Sequence, residues 1–197
     1  MKKYISVPLA AAGILALTAT GAFAAARAFD RSHADKQVTA GSSKCLGKTP
    51  TIVGSTAVVT GTSKADVIVS LYANAEVYGL GGDDTICVYN IGGSAYGGEG
   101  RDVIWADGNS GHLLSGGAGD DVLLTSNKFV TGAGDGGDNV LVGGPGADTI
   151  YGGGGEDVLI GFSGNDTLRG GNGVDYVRGG SGTDSVSGEG DTDLLVD

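Results

Sequence analysis

Aspartates at Asp148, Asp157, Asp166, Asp175 and Asp184 recur every nine residues, and the residues around them recur in phase. Each has a glycine five places before it (Gly143, Gly152, Gly161, Gly170, Gly179) and another two places before it (Gly146, Gly155, Gly164, Gly173, Gly182). A large aliphatic residue follows two places after: Ile150, Leu159, Leu168, Val177, Val186. A carboxylate is a hard anionic oxygen donor, and a glycine-rich turn aims several backbone carbonyls at one point. Together they form an oxygen cage suited to Ca²⁺; Mg²⁺ demands a tighter octahedron, and Zn²⁺ prefers nitrogen or sulfur.

The rest of each unit positions that cage. Three residues after the aspartate read as a strand too short to stand alone, its aliphatic residue pointing inward and its neighbours outward. Two nine-residue units make one 18-residue coil, and stacked coils bury an aliphatic column between two thin parallel sheets. A flexible glycine-rich linker would need no phased aliphatic residue.

Upstream of Gly143 every second unit has lost its turn. Turns open at Gly79, Gly97, Gly116 and Gly134, with fourth-position glycines Gly82, Gly100, Gly119 and Gly137, and a faint turn opens at Gly61. Their sixth positions are Asp66, Asp84, Asp102, Asp121 and Asn139, and steps of 18 continue to Asp157, Asp175 and Asp193. These eight stack on one edge of the expected coil, here called the first edge. The second edge carries the cage sequence only at Asp148, Asp166 and Asp184. The units Ser70 to Tyr78 and Val88 to Tyr96 keep an inward candidate, Val77 and Ala95, without the turn. Asn139 is expected to weaken its sites and leave them standing, since an amide oxygen still coordinates Ca²⁺. One extra residue between Gly97 and Gly116, around Gly108 to Leu114, is expected to bulge.

The pattern G-G-x-G-x-D-x-U-x, with U a large aliphatic, resembles the calcium-binding repeats of the repeats-in-toxin, or hemolysin-type, family over about two thirds of the chain. The resemblance implies an all-β, right-handed parallel β-roll with several Ca²⁺ ions between successive turns. The sixth-position side chains and turn carbonyls named above would hold them. Family members that are toxins, proteases or lipases carry a further domain beside the repeats, for which this sequence has no room, so those activities do not transfer.

Met1 to Ala24 reads as a secretory signal peptide. Lys2 and Lys3 precede an apolar run from Ile5 to Leu17, and Ala22-Phe23-Ala24 is a small-x-small cleavage site. Cleavage would move the formal charge from −11 to −13, which argues for bound cations and against nucleic acid or an anionic membrane. Residues 25–50 are polar and aperiodic and are expected to be a flexible segment; residues 51–197 would be the roll, degenerate over 61–142 and regular over 143–197. Thr51 to Val53 and Ala57 to Thr60 are β-prone and suit first rungs or a cap. Export would permit a Cys45–Cys87 disulfide tying the N-terminal segment to the roll. His33 and His112 stand near no catalytic motif.

Outward positions on one sheet are apolar: Val67, Val69, Val103, Trp105, Val122, Leu124, Val140, Val142, Val158 and Ile160. This stripe is expected to face solvent and to serve self-association or a cell-surface partner. The function expected is a secreted, non-enzymatic calcium-binding module that folds on binding Ca²⁺. The alternative is an accessory module or subunit of a secreted enzyme, such as a polysaccharide-modifying one. An ice-binding array would need regular outward threonines, and the residues before the first-edge acids, such as Ala65, Asp83, Arg101 and Glu156, are not that.

Overall fold

The computed structural model describes residues 44–89, 92–107, 112–125, 130–190 and 192–196. The expected signal peptide, His33 and most of the expected flexible segment lie outside them. All regular structure among the described residues is β. In chain order the strands are β1 (Ile52–Gly54), β2 (Val58–Thr60), β3 (Val67–Ser70), β4 (Glu76–Gly81), β5 (Thr85–Val88) and β6 (Ser94–Glu99). They continue as β7 (Val103–Ala106), β8 (His112–Ala118), β9 (Val122–Thr125), β10 (Val130–Gly136), β11 (Val140–Pro145) and β12 (Thr149–Gly154). The last five are β13 (Val158–Ser163), β14 (Thr167–Asn172), β15 (Tyr176–Ser181), β16 (Ser185–Ser187) and β17 (Leu194–Val196).

Odd-numbered strands form one nine-stranded sheet and even-numbered strands one eight-stranded sheet, each in strict sequence order. The pairings are parallel, as in Leu141↔Leu159 and Ile150↔Leu168, so the chain winds as an 18-residue coil. A strand of three to seven residues has no stability alone. It gains it here because backbone N–H groups of one coil donate to carbonyls of the neighbouring coil, as Val140 N–H does to Asp121 and Val158 N–H to Asn139. Ile52–Gly54 and Val58–Thr60 are the first rungs, paired to β3 and β4. The register lengthens to 19 once, at Val103↔Val122 and Ser94↔Leu113. Ala106 still pairs with Val88 in the 18-residue register. The extra residue therefore falls between Ala106 and Leu113, where residues 108–111 are outside those described.

Between the sheets run two aliphatic columns. Ile68, Ile86, Ile104, Leu123, Leu141, Leu159 and Val177 face Val59, Val77, Ala95, Leu114, Ile150 and Leu168, all at most 4 % exposed. Burying a side chain of this size contributes roughly 1.5–3 kcal/mol. Gly132 stands where the second column needs a side chain, and a cavity of about 10 Å³ opens there against Leu114, Leu123, Leu141 and Ile150.

Two expectations change. Residues 44–50 are anchored, because Cys45 is disulfide-bonded to Cys87 and Lys48 Nζ donates to Thr85 Oγ1 at 2.8 Å. The Tyr89 hydroxyl also donates to the Lys44 carbonyl at 3.0 Å. The outward apolar stripe, moreover, is not a solvent-facing surface. Val69, Trp105, Leu124, Val142, Val158 and Ile160 are all buried, and Val67, Val103, Val122 and Val140 are half-buried. Pointing away from the core column does not mean reaching water. Large side chains on adjacent rungs stand about 4.8 Å apart and shield one another, and Cys45 and Lys48 sit over β5. The other sheet carries aromatic contacts on its outer face: half-buried Tyr78 stacks on half-buried Tyr96 at 5.0 Å, and Arg169 lies 5.7 Å from the ring centroid of exposed Tyr151.

Candidate metal centre

The sixth-position side chains form a hydrogen-bonded ladder. On the first edge, Oδ1 of Asp84, Asp102, Asp121, Asn139, Asp157, Asp175 and Asp193 each accepts the backbone N–H of the sixth residue one coil earlier, at 2.8–2.9 Å. On the second edge Asp166 and Asp184 do the same for Asp148 and Asp166. Asp84, Asp102, Asp121, Asn139, Asp148, Asp157, Asp166 and Asp175 are at most 2 % exposed. Asp184 and Asp193 are half-buried.

The other carboxylate oxygen is the telling one. Oδ2 of Asp84, Asp102, Asp121, Asp157, Asp166 and Asp175 is buried with no hydrogen-bond partner. A buried anionic oxygen left bare costs more than any neutral orphan, so it calls for a cation. The cradle beside it has the right donors. A Cβ on Gly97 would run into Asp102 Oδ2 of its own turn and the Gly116 carbonyl oxygen of the next. The same pairing recurs at Gly79 (Asp84, Gly97), Gly143 (Asp148, Gly161), Gly152 (Asp157, Gly170) and Gly161 (Asp166, Gly179). Carboxylate and carbonyl from successive coils thus converge on one point that only glycine leaves open. Gly155 shows the second constraint: its φ is +130° and a Cβ would strike the Gly137 carbonyl. No three acidic, His or Cys side chains converge among the described residues. The donor set is one carboxylate with backbone carbonyls, hard oxygen throughout, and it fits Ca²⁺.

Burial acts on the carboxyls in the same sense. It pushes Asp121 up to about 7 and Asp102 and Asp157 up to about 6, with neighbouring ladder acids adding to the rise. Asp84, Asp166 and Asp175 are raised for the same first cause.

Two positions differ from the sequence-based expectation. Asp66 Oδ2 accepts the Thr62 N–H at 2.8 Å and its hydroxyl at 2.7 Å, and Asp66 Oδ1 accepts the Thr51 hydroxyl at 3.1 Å. Those bonds, Thr62's hydroxyl first, hold its carboxyl below the ordinary value despite some desolvation. Asp66 therefore caps the ladder and has no bare oxygen to offer. Thr51 and Thr62 were missed by sequence reasoning; the available signal was a hydroxyl at the second turn position, where the other turns have glycine or, as at Leu80, Asp135 and Phe162, a residue without a hydroxyl.

The second correction is Asn139. Its Oδ1 is taken by the Asp121 N–H, so its Nδ2 occupies the place of an Oδ2 and donates to the Gly137 carbonyl at 2.8 Å. The expected amide-oxygen ligand is not presented. The second edge above Asp148 carries no ladder acid, as its sequence leads one to expect, and the sixth column continues there through Val130 to His112. His112 is buried with no partner for either ring nitrogen, and burial lowers its pKa. Ligand chemistry on that edge begins at Asp148, whose Oδ2 accepts the Gly144 N–H at 3.0 Å.

Asp157→Ala is expected to lose calcium and to leave the buried Asn139 N–H without its acceptor, a cost of about 1–3 kcal/mol. Asp66→Ala should lower stability by about 1 kcal/mol with calcium stoichiometry unchanged. Calorimetric titration of both variants checks this, and equal losses of calcium would contradict the assignment.

A family model described as the RTX calcium-binding nonapeptide repeat, in four copies, matches residues 94–110, 113–127, 133–161 and 160–195. No curated protein and no solved structure matches the chain.

Proposed function

The chain belongs to the RTX calcium-binding repeat family, and from that premise we propose that it is a secreted, non-enzymatic protein whose roll orders outside the cell when it binds Ca²⁺. The observation that carries this reading is the set of six buried carboxylate oxygens without a partner, each in a ladder of like charges. A fold that buries anions in register is stable only with the cations that match them. Extracellular modules bind Ca²⁺ at about 10⁻⁴–10⁻³ M, far above cytosolic levels, so the chain would stay unfolded during export and order on arrival. The signal-like residues 1–24 support that route. Once ordered, the stacked coils present two continuous parallel sheets, suited to a structural or interaction role at the cell exterior.

The test is expression of the full chain in a secreting host. The protein recovered from the medium should begin at Ala25, and about 1 mM calcium should convert it from protease-sensitive to protease-resistant. Retention in the cell with Met1 intact would overturn the secretion reading; digestion indifferent to calcium would overturn folding on binding.

A further inference from the structure

Along the first edge the carboxylate column is interrupted once. Upstream, Asp84, Asp102 and Asp121 each hold a bare buried Oδ2; downstream, Asp157 and Asp175 do the same. Between them Asn139 places a nitrogen. A Cβ on Gly134 would meet Asn139 Nδ2 and the Gly152 carbonyl, where the equivalent point at its neighbours is flanked by a carboxylate oxygen. The orientation is not free to reverse. The backbone N–H of Asp121 is a donor 2.8 Å from Oδ1, and the Gly137 carbonyl is an acceptor 2.8 Å from Nδ2. Flipping the amide would set donor against donor and acceptor against acceptor. The side chain therefore keeps the ladder's hydrogen bond intact while placing a nitrogen where its neighbours place a carboxylate oxygen.

The geometry points to Asn139 as a break that divides the calcium sites of the first edge into two separately loading arrays. This rests on the calcium reading above and adds to it an order of loading. The downstream array has ladder carboxylates on both edges, with Asp148 and Asp166 beside Asp157 and Asp175, so each coil is clamped twice. The upstream array has them on the first edge alone, since His112 and Val130 continue the second column. Affinity follows the number of charged ligands and the rigidity of the site. The downstream coils load and order first, and the upstream coils follow at higher calcium.

Hydrogen exchange read by mass spectrometry across a calcium titration of the full chain tests this. Peptides from 140–187 should gain protection at a calcium concentration about tenfold below those from 67–107. Fluorescence of Trp105, the chain's one tryptophan, should follow the later step. Asn139→Asp restores an oxygen donor; it should merge the two steps and raise the calcium count by at least one. Asn139→Ala removes the nitrogen without supplying oxygen, and should leave the steps apart. Coincident protection of both regions in the natural sequence, or an Asn139→Asp protein that still loads in two steps, overturns the partition while leaving calcium binding intact. No calcium uptake by any of the three proteins overturns the calcium reading and the partition with it.

Discussion

Removal of calcium at neutral pH is expected to unfold the roll, and mild acid is expected to restore part of it. Six carboxylates with a bare buried oxygen lie in columns one coil apart. Ionised and without a cation, they repel along the column and have lost their hydration. Each site held at tenfold excess over its Kd returns about 1.4 kcal/mol, and several sites together reach the whole stability of an ordinary domain. The pH dependence follows from the raised carboxyls. Asp121 at about 7 and Asp102 and Asp157 at about 6 stand above the ordinary 3.8. Between these values the folded chain holds protons that the unfolded chain has released. Calcium-free stability therefore falls as pH rises from about 4 through 7, and returns as pH is lowered. With calcium present the sign reverses over the same window, because protons compete with the ion for the same oxygens. Circular dichroism at pH 5 and pH 8, with chelator and with calcium, checks both halves. A chelated sample with a full β spectrum at pH 8 contradicts the first, and a chelated sample equally unfolded at both pH values contradicts the second.

Loss of the Cys45–Cys87 bond should have the next largest effect. The bridge closes a loop across a sequence separation of 42. In the chain-entropy account such a loop is worth about 4 kcal/mol, through the unfolded state. The bond also holds Cys45 and Lys48 over β5, where Thr85 and Cys87 are almost fully buried. Cys45→Ser with Cys87→Ser, or reduction of the natural chain, should lower the thermal midpoint of the calcium-loaded protein by on the order of 10 °C. Loss of order should begin at the first rungs, nearest the freed segment, and hydrogen exchange in β1 to β5 would show it. An unchanged midpoint, or loosening spread evenly to β15, would mean the bridge is incidental to the fold.

Much of this molecule is written in its periodicity. Glycine, aspartate and aliphatic residue in nine-residue phase specify turn, ligand and inward strand locally, and a repeat of local conformations can only stack. The 18-residue coil, the first-edge column from Asp84 to Asp193 and the core residues Ile86 to Val177 were therefore legible without a structure. What periodicity does not encode is how a side chain's two polar atoms are shared between partners 18 residues apart. Asp66 and Asn139 occupy ladder positions, yet Thr62 takes the spare oxygen of one, and the Asp121 N–H turns the amide of the other. Both outcomes are set by hydrogen-bond donors that meet those atoms only in the folded stack. Trp105 and Leu124 alternate outward in sequence, and only the packed sheet shows that outward residues here are buried. The position of residues 44–50 over Thr85 likewise depends on a covalent bond between distant segments, which spacing along the chain does not determine.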